Sequence, residues 1–186
     1  VVLALWAPAL VTVVGATMVA HWVPLPAPRP DAALAQSLLG LRSADESGWT
    51  AYHVLYADCP CSMRIVDHLC TSARPADVSE VVLLVGEHAA TAAALTGAGF
   101  RVVPTTAEEL RERHHIESAP LFVVTDPQGT VRYSGGHTAR RQGLDHADLD
   151  LVAALLAGRD VESLPVYGCG VSNALQAELD PLGLKY

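Results

Sequence analysis

The chain has 186 residues, a formal net charge of -8 and one lysine, Lys185. With no basic patch to neutralise phosphates, a non-specific nucleic-acid role is excluded. Four cysteines, Cys59, Cys61, Cys70 and Cys169, are too few and too unevenly placed for a disulfide scaffold, so they read as a small set of working thiols.

In chain order, residues 1–23 carry no Asp, Glu, Lys or Arg, and Trp6 and Trp22 stand near the two ends. The stretch is long enough for a transmembrane helix with an aromatic anchor at each interface. A cleaved signal segment is the competing reading, although Met18-Val19-Ala20 is a poor small-x-small site; a buried soluble helix is a third. Either of the first two exports the remainder of the chain. Residues 24–48 read as a linker: Val23 to Pro30 is proline-rich and stiff, a spacer off the membrane. Asp31 then caps a short helix, Ala32 to Leu41, with Leu34, Leu38 and Leu41 on one face.

Residues 49–160 alternate in period. Ala51 to Ala57 is an apolar, β-branched and aromatic run, hence a buried strand, and Ser62 to Thr71 places Cys61, Ile65, His68 and Leu69 on one helical face. The junction is Asp58-Cys59-Pro60-Cys61-Ser62. Pro60 suits the first helical turn, which puts Cys59 at the helix N-terminus, where the dipole favours a thiolate. Val81 to Val85 reads as a central strand, Ala89 to Ala98 as a helix, Phe100 to Val103 as a strand, and Ala107 to His115 as a polar helix capped by Thr105 or Thr106. His114 and His115 would favour its C-terminal dipole, or form a metal pair. Leu121 to Thr125 and Thr130 to Ser134 form a hairpin across Asp126-Pro127-Gln128-Gly129. Asp145 to Ala157 is an amphipathic helix with Leu144, Leu151, Val152, Leu155 and Leu156 inward, stopped by Gly158. Residues 161–186 are a tail containing Cys169. The order βαβα(βα)ββα gives an α/β fold with a central mixed sheet flanked by helices.

Three motifs, Cys59-Pro60-Cys61, Ser134-Gly135-Gly136 and Pro165-Val166-Tyr167-Gly168-Cys169, together resemble the membrane-anchored thioredoxin-fold proteins of the TlpA/ResA-like type, and most the RedB-like branch. The resemblance covers roughly residues 50 to 172. It implies a thioredoxin-like fold, here with an extra βα unit, and thiol redox chemistry. Ser62 stands where the common Cys-x-x-Cys form has its second cysteine. The resemblance also places a cis-proline at Pro120 facing the redox cysteines, so that the Ala119 backbone is offered to an extended substrate. It puts a proton acceptor near His53, which a histidine can serve; the plainer reading is a histidine on the less buried strand face.

The expected function is therefore an exported, membrane-tethered thiol–disulfide oxidoreductase on the periplasmic or extracytoplasmic side. Cys59 attacks, Cys61 resolves, and Pro60, Ala119 and Pro120 line the path of a protein or small thiol/disulfide substrate, with no bound organic cofactor. Cys-x-Cys closes a small, strained ring, and strain makes a disulfide more oxidising. Cys169 is a candidate third thiol if the tail folds back; Cys70 reads as a small core residue. The alternative class is a soft-metal module, in which Cys59, Cys61 and Cys169 with His137 would suit Cu(I). A peroxidase would use Cys59 as its sulfenate former, but no Thr-x-x-Cys precedes it: the residue at that place is Tyr56.

Overall fold

The computed structural model describes residues 6–8, 10–15, 23–43, 47–141, 143–180 and 183. Its centre is a five-stranded sheet of β1 (Trp49–Tyr56), β2 (Val78–Val85), β3 (Arg101–Thr105), β5 (Leu121–Thr125) and β6 (Val131–Gly135), in the order β3-β2-β1-β5-β6. β1, β2 and β3 run parallel; β5 is antiparallel to β1 and β6 to β5. The parallel connections are made by helices α2 (Pro60–Thr71) and α3 (Ala89–Gly97), as crossovers between parallel strands require. This βαβ unit followed by an antiparallel pair and a helix, α5 (Asp148–Leu156), is the thioredoxin-like arrangement expected from the sequence. β3 and α4 (Ala107–His114) add the extra unit at one edge of the sheet.

Alternation along β1 divides the interior. Tyr52 and Val54 point to one face, against α1 (Ala32–Leu39) and α4 through Leu34, Leu38 and Leu110. Leu55 points to the other, against Ile65, Val66 and Leu69 of α2, while Ala51 meets Leu151, Val152 and Leu155 of α5. His53 lies on that second face, at the seam between the α2 and α5 clusters, stacked on Phe122 and edge-on to Phe100.

Several boundaries move for identifiable reasons. α1 ends at Leu39 rather than Leu41, with Asp31 capping Ala33 and Leu34 as expected. α4 is capped by Thr106, which accepts from Glu109 N. α5 starts at Asp148, and the N–H of its N-cap residue Ala147 donates to His137 O (2.8 Å). Leu144 lies ahead of the helix and is 81 % exposed, and Leu156 is 41 % exposed, so neither is an inward residue of this helix. His114 does not serve as a cation at a helix end: it is buried, bonded to Ser37 Oγ, and burial lowers its pKa.

One expectation about the flanks is corrected. The proline-rich linker is not a free spacer: Leu25 bridges Val166, and the carbonyls of Pro26 and Pro28 accept from Ser118 and Ser134. The tail folds back onto the domain. It contributes β7 (Cys169–Gly170), paired antiparallel to β4 (Ser118–Ala119), and α6 (Asn173–Leu179), capped by Ser172. The membrane span expected over 1–23 falls largely outside the described residues; among the described residues no helix is long and apolar enough to cross a membrane.

Because α1 is part of the core, Leu38→Ala is expected to cost about 2–5 kcal/mol in chemical denaturation of the full chain. A loss below about 1 kcal/mol would show that this helix packs only peripherally.

Candidate functional site: three thiols beside a buried histidine pair

Cys59 is the N-cap of α2, with extended backbone and no side-chain cap bond, and Pro60 opens the first turn. Ser62 reaches back to accept the Tyr56 N–H at 3.1 Å, fixing the strand-to-helix corner. That corner turns Cys59 inward, where it is fully buried, with its Sγ 3.9 Å from Ala119 O. Cys61, by contrast, is half-buried and lines a shallow pocket with Arg64, Pro120, His137, His146 and Tyr167. Arg64 Nη2 approaches Cys61 Sγ at 3.6 Å.

The third thiol arrives from the tail. Cys169 is the register partner of Ala119 and is almost fully buried. The Cys169 thiol raises the Cys59 pKa, helped by burial and opposed by Cys61. Cys61 is pushed well up by its contact with Cys59 and by burial, against the pull of Arg64. The expectation of an open, acidic Cys59 is therefore corrected. The helix dipole acts on it, but neighbouring sulfurs and burial outweigh the dipole. All four cysteines are free thiols, and Cys70 lies half-buried at the edge of the α2 cluster.

The Ala119–Pro120 peptide bond is cis. The Ala119 backbone is not offered to an incoming strand, however: Ala119 is fully buried and paired with Cys169. The motifs singled out in the sequence explain one another here. A Cβ at Gly168 would stand 2.5 Å from Pro120 Cδ and collide with Ala119 O. One at Gly135 would stand 2.7 Å from Leu164 O, and one at Gly136 would overlap the Pro165 carbonyl. Glycine at these places lets tail and sheet backbones meet, and Gly136 N donates to Leu164 O at 2.9 Å.

His53 is not on an open strand face but fully buried, with Nδ1 3.1 Å from His137 Nε2 and Nε2 3.3 Å from Glu80 Oε1. It meets the pocket only through His137. Burial, reinforced by His53, holds His137 well below the usual histidine pKa, so its ring is neutral. Glu80 is an ionised acceptor, so His53 Nε2 donates to it. His137 Nδ1 is buried and has no hydrogen-bond partner among the described residues.

Sequence reasoning missed the charges behind this pair. Arg74 Nε donates to Glu80 Oε2 and Nη1 to Asp148 Oδ2, both at 2.8 Å, and His68 Nε2 lies 2.8 Å from Asp148 Oδ1. Burial alone would raise the Asp148 carboxyl, but His53, His137 and Arg74 outweigh it and hold it far below the carboxylate range. Glu80 is likewise lowered, burial being overcome by hydrogen bonds from Arg74 and His53. No local pattern announces this network, since Arg74, Glu80 and Asp148 come from three separate segments.

Among the described residues, no group of three or more His, Cys, Asp and Glu side chains is placed to hold a metal ion. The copper reading built on Cys59, Cys61, Cys169 and His137 therefore finds no assembled site there.

No protein-family model matches the chain, and no curated protein matches it. Solved structures do. An uncharacterized conserved protein from Geobacillus kaustophilus is 18% identical with a TM-score of 0.54, over 68% of this chain and 77% of its own. A hypothetical protein from Sinorhizobium meliloti 1021 is 22% identical with a TM-score of 0.54, over 68% of this chain and 80% of its own. At these identities the likeness is one of fold. The thioredoxin domain of a thiol-disulfide oxidoreductase from Bacteroides vulgatus aligns at a TM-score of only 0.40 and 10% identity, over 61% of this chain and 80% of its own, and adds no weight.

The buried network sets an acid limit. His137 has a lowered folded pKa, so its contribution to stability is full above the unfolded value near 6.5 and is lost as pH falls below it. His146, also lowered by burial and by His68, acts in the same window. Glu80 and Asp148 add a second loss below about pH 4.5, as the unfolded carboxyls protonate first. Unfolding free energy measured by denaturant titration should fall in both windows, and His137→Asn should shrink the first step more than the second. A flat profile between about pH 7 and 5 would mean that His137 protonates freely in the native protein.

Proposed function

We propose that the protein is a thiol–disulfide oxidoreductase whose exchange thiol is Cys61 and whose resolving thiol is Cys59. The observation that carries this reading is the pairing of a half-buried, pocket-lining cysteine with a fully buried one at the start of one helix. In this reading the roles expected from the sequence are exchanged, because Cys61 is the more accessible of the two. Deprotonated Cys61 attacks one sulfur of the external disulfide, forms a mixed disulfide and releases the first thiolate. Cys59 then attacks Cys61 Sγ, forms the Cys59–Cys61 disulfide and releases the second thiolate. Two electrons leave the protein and two external thiols are made.

The nucleophile must first lose its proton, and the Cys61 thiol is held well up. His137 lines the same pocket with an unpartnered Nδ1 and a lowered pKa, and takes the proton in this reading, with His53 and Glu80 positioning its ring; Arg64 is the cation beside the thiolate. The proton acceptor sought at His53 is thus assigned one residue further along the chain of contacts. With Ala119 covered, small disulfides or an exposed protein disulfide at the pocket suit the site better than an added substrate strand. No bound cofactor is called for, because the sulfurs themselves carry the electrons.

Export and tethering to a membrane complete the reading. They are supported by the uncharged segment at 1–23 and by Trp6, Leu10, Val11, Val13 and Val14, whose apolar side chains are exposed ahead of the domain. Free thiols that cycle through disulfides also fit an oxidising compartment.

The test is stopped-flow reaction of the reduced full chain with a chromogenic aromatic disulfide. Cys61→Ser should slow the fast phase by about 100-fold or more, because buried thiols are inert. Cys59→Ser should leave that phase and trap the mixed disulfide on Cys61. Equal rates in wild type and Cys61→Ser would overturn the assignment. His137→Asn should move the rate–pH profile toward higher pH, a shift that a purely structural histidine would not cause.

A further inference from the structure

Exchange at Cys61 and resolution by Cys59 use two sulfurs, yet a third is built against them with more care than a two-thiol site needs. β7 is seated on β4 by register pairing of Cys169 with Ala119, and Val171 N donates to Glu117 O at 2.7 Å just beyond it. Leu25 bridges Val166 from the other end of the chain, and Gln176 Nε2 of α6 donates to Gly170 O at 3.0 Å. Gly168 permits the approach to Pro120 that brings the strand to this depth. Cys59 and Cys169 both lie against Ala119, one through its carbonyl and the other through its register. Cys169 raises the pKa of Cys59, and neither residue is open to solvent.

Resting on the oxidoreductase reading, we propose that Cys169 is the third thiol of an internal relay, and that the oxidised protein rests as a Cys59–Cys169 disulfide with Cys61 returned to the thiol form. The step is a balanced exchange. Deprotonated Cys169 attacks Cys59 Sγ of the Cys59–Cys61 disulfide, the Cys59–Cys169 bond forms, and Cys61 leaves as the thiolate and takes up the proton. No electrons are gained or lost, since the external disulfide has already served as oxidant.

The equilibrium favours this product for a geometric reason. A Cys59–Cys61 bridge must close a small ring over Pro60, whose φ is fixed, and a ring that departs from the preferred S–S geometry stores strain. A bridge from Cys59 to Cys169 joins two packed segments distant in sequence and closes no such ring. The consequence is a sheltered store. External thiols cannot attack Cys59 or Cys169 directly, and the oxidising equivalent returns to the surface only when Cys61 attacks Cys59 in reverse.

The full chain is oxidised with excess oxidised glutathione, its remaining thiols are alkylated, and the digest is mapped by mass spectrometry. The expected product links the Cys59-Pro60-Cys61 peptide to the Cys169 peptide with one cysteine of the former alkylated, in at least about tenfold excess over the Cys59–Cys61 form. With a small oxidant, Cys61→Ser should retain that cross-link and Cys59→Ser should lose it, which identifies Cys59 as the partner. Cys169→Ser should stop at Cys59–Cys61 while keeping the fast reaction with the aromatic disulfide. A wild type that accumulates Cys59–Cys61 with Cys169 alkylated would overturn the relay and leave the oxidoreductase reading standing. The absence of any internal disulfide in every variant would overturn both.

Discussion

The backbone of residues 164–168 can lie against Gly135, Gly136, Ala119 and Pro120 only because no side chain stands between them. Everything particular to this site depends on that contact. It brings Cys169 beside Cys59, covers the edge of Ala119, and leaves Cys61 as the sulfur that faces solvent. The Tyr133 hydroxyl locks the same junction from beneath, donating to Gly136 O at 2.7 Å while accepting from Leu164 N. These hydrogen bonds add to the apolar packing of Leu164 and Val166 in holding the segment.

The second constraint is the polar seam through the face that carries α2 and α5. A buried arginine between two carboxylates, with histidines on both flanks, loses much hydration and recovers it only through near-complete pairing. Here the pairing is dense around Arg74, Glu80, Asp148 and His68, and the gaps in it fall at His137 Nδ1 and His146 Nδ1. A buried polar group without a partner is costly. Both histidines line the Cys61 pocket, where such a cost has a chemical use, since a saturated nitrogen could not accept a proton.

Much of the fold was legible because it rests on local signals. The apolar, β-branched run into Cys59, the 3.6-residue spacing after it, the Asp31 and Thr106 caps and the Asp126 turn each fall where structure puts them, within a few residues. The site was legible in its parts and not in its assembly. Cys59, Cys61, Pro120, Cys169 and His137 were all visible as candidates, but which sulfur faces water depends on how tightly a distant strand packs. Glycine pairs advertise close approach without naming the partner. The ionic residues behind His53 carried no periodicity at all, and a two-residue strand such as β7 has too few residues to show a pattern.

The segment around Leu25, Pro26 and Pro28 joins the two ends of the domain, because it bonds to Val166, Ser118 and Ser134 together. A shortened chain beginning at the first helix would strip the lid from Val166 and leave two serines facing vacant space. The redox behaviour of such a fragment would report a loosened tail rather than the native arrangement. The same contacts fix where residues 25 to 28 run over the body, beside the β-strands that carry Ser118 and Ser134.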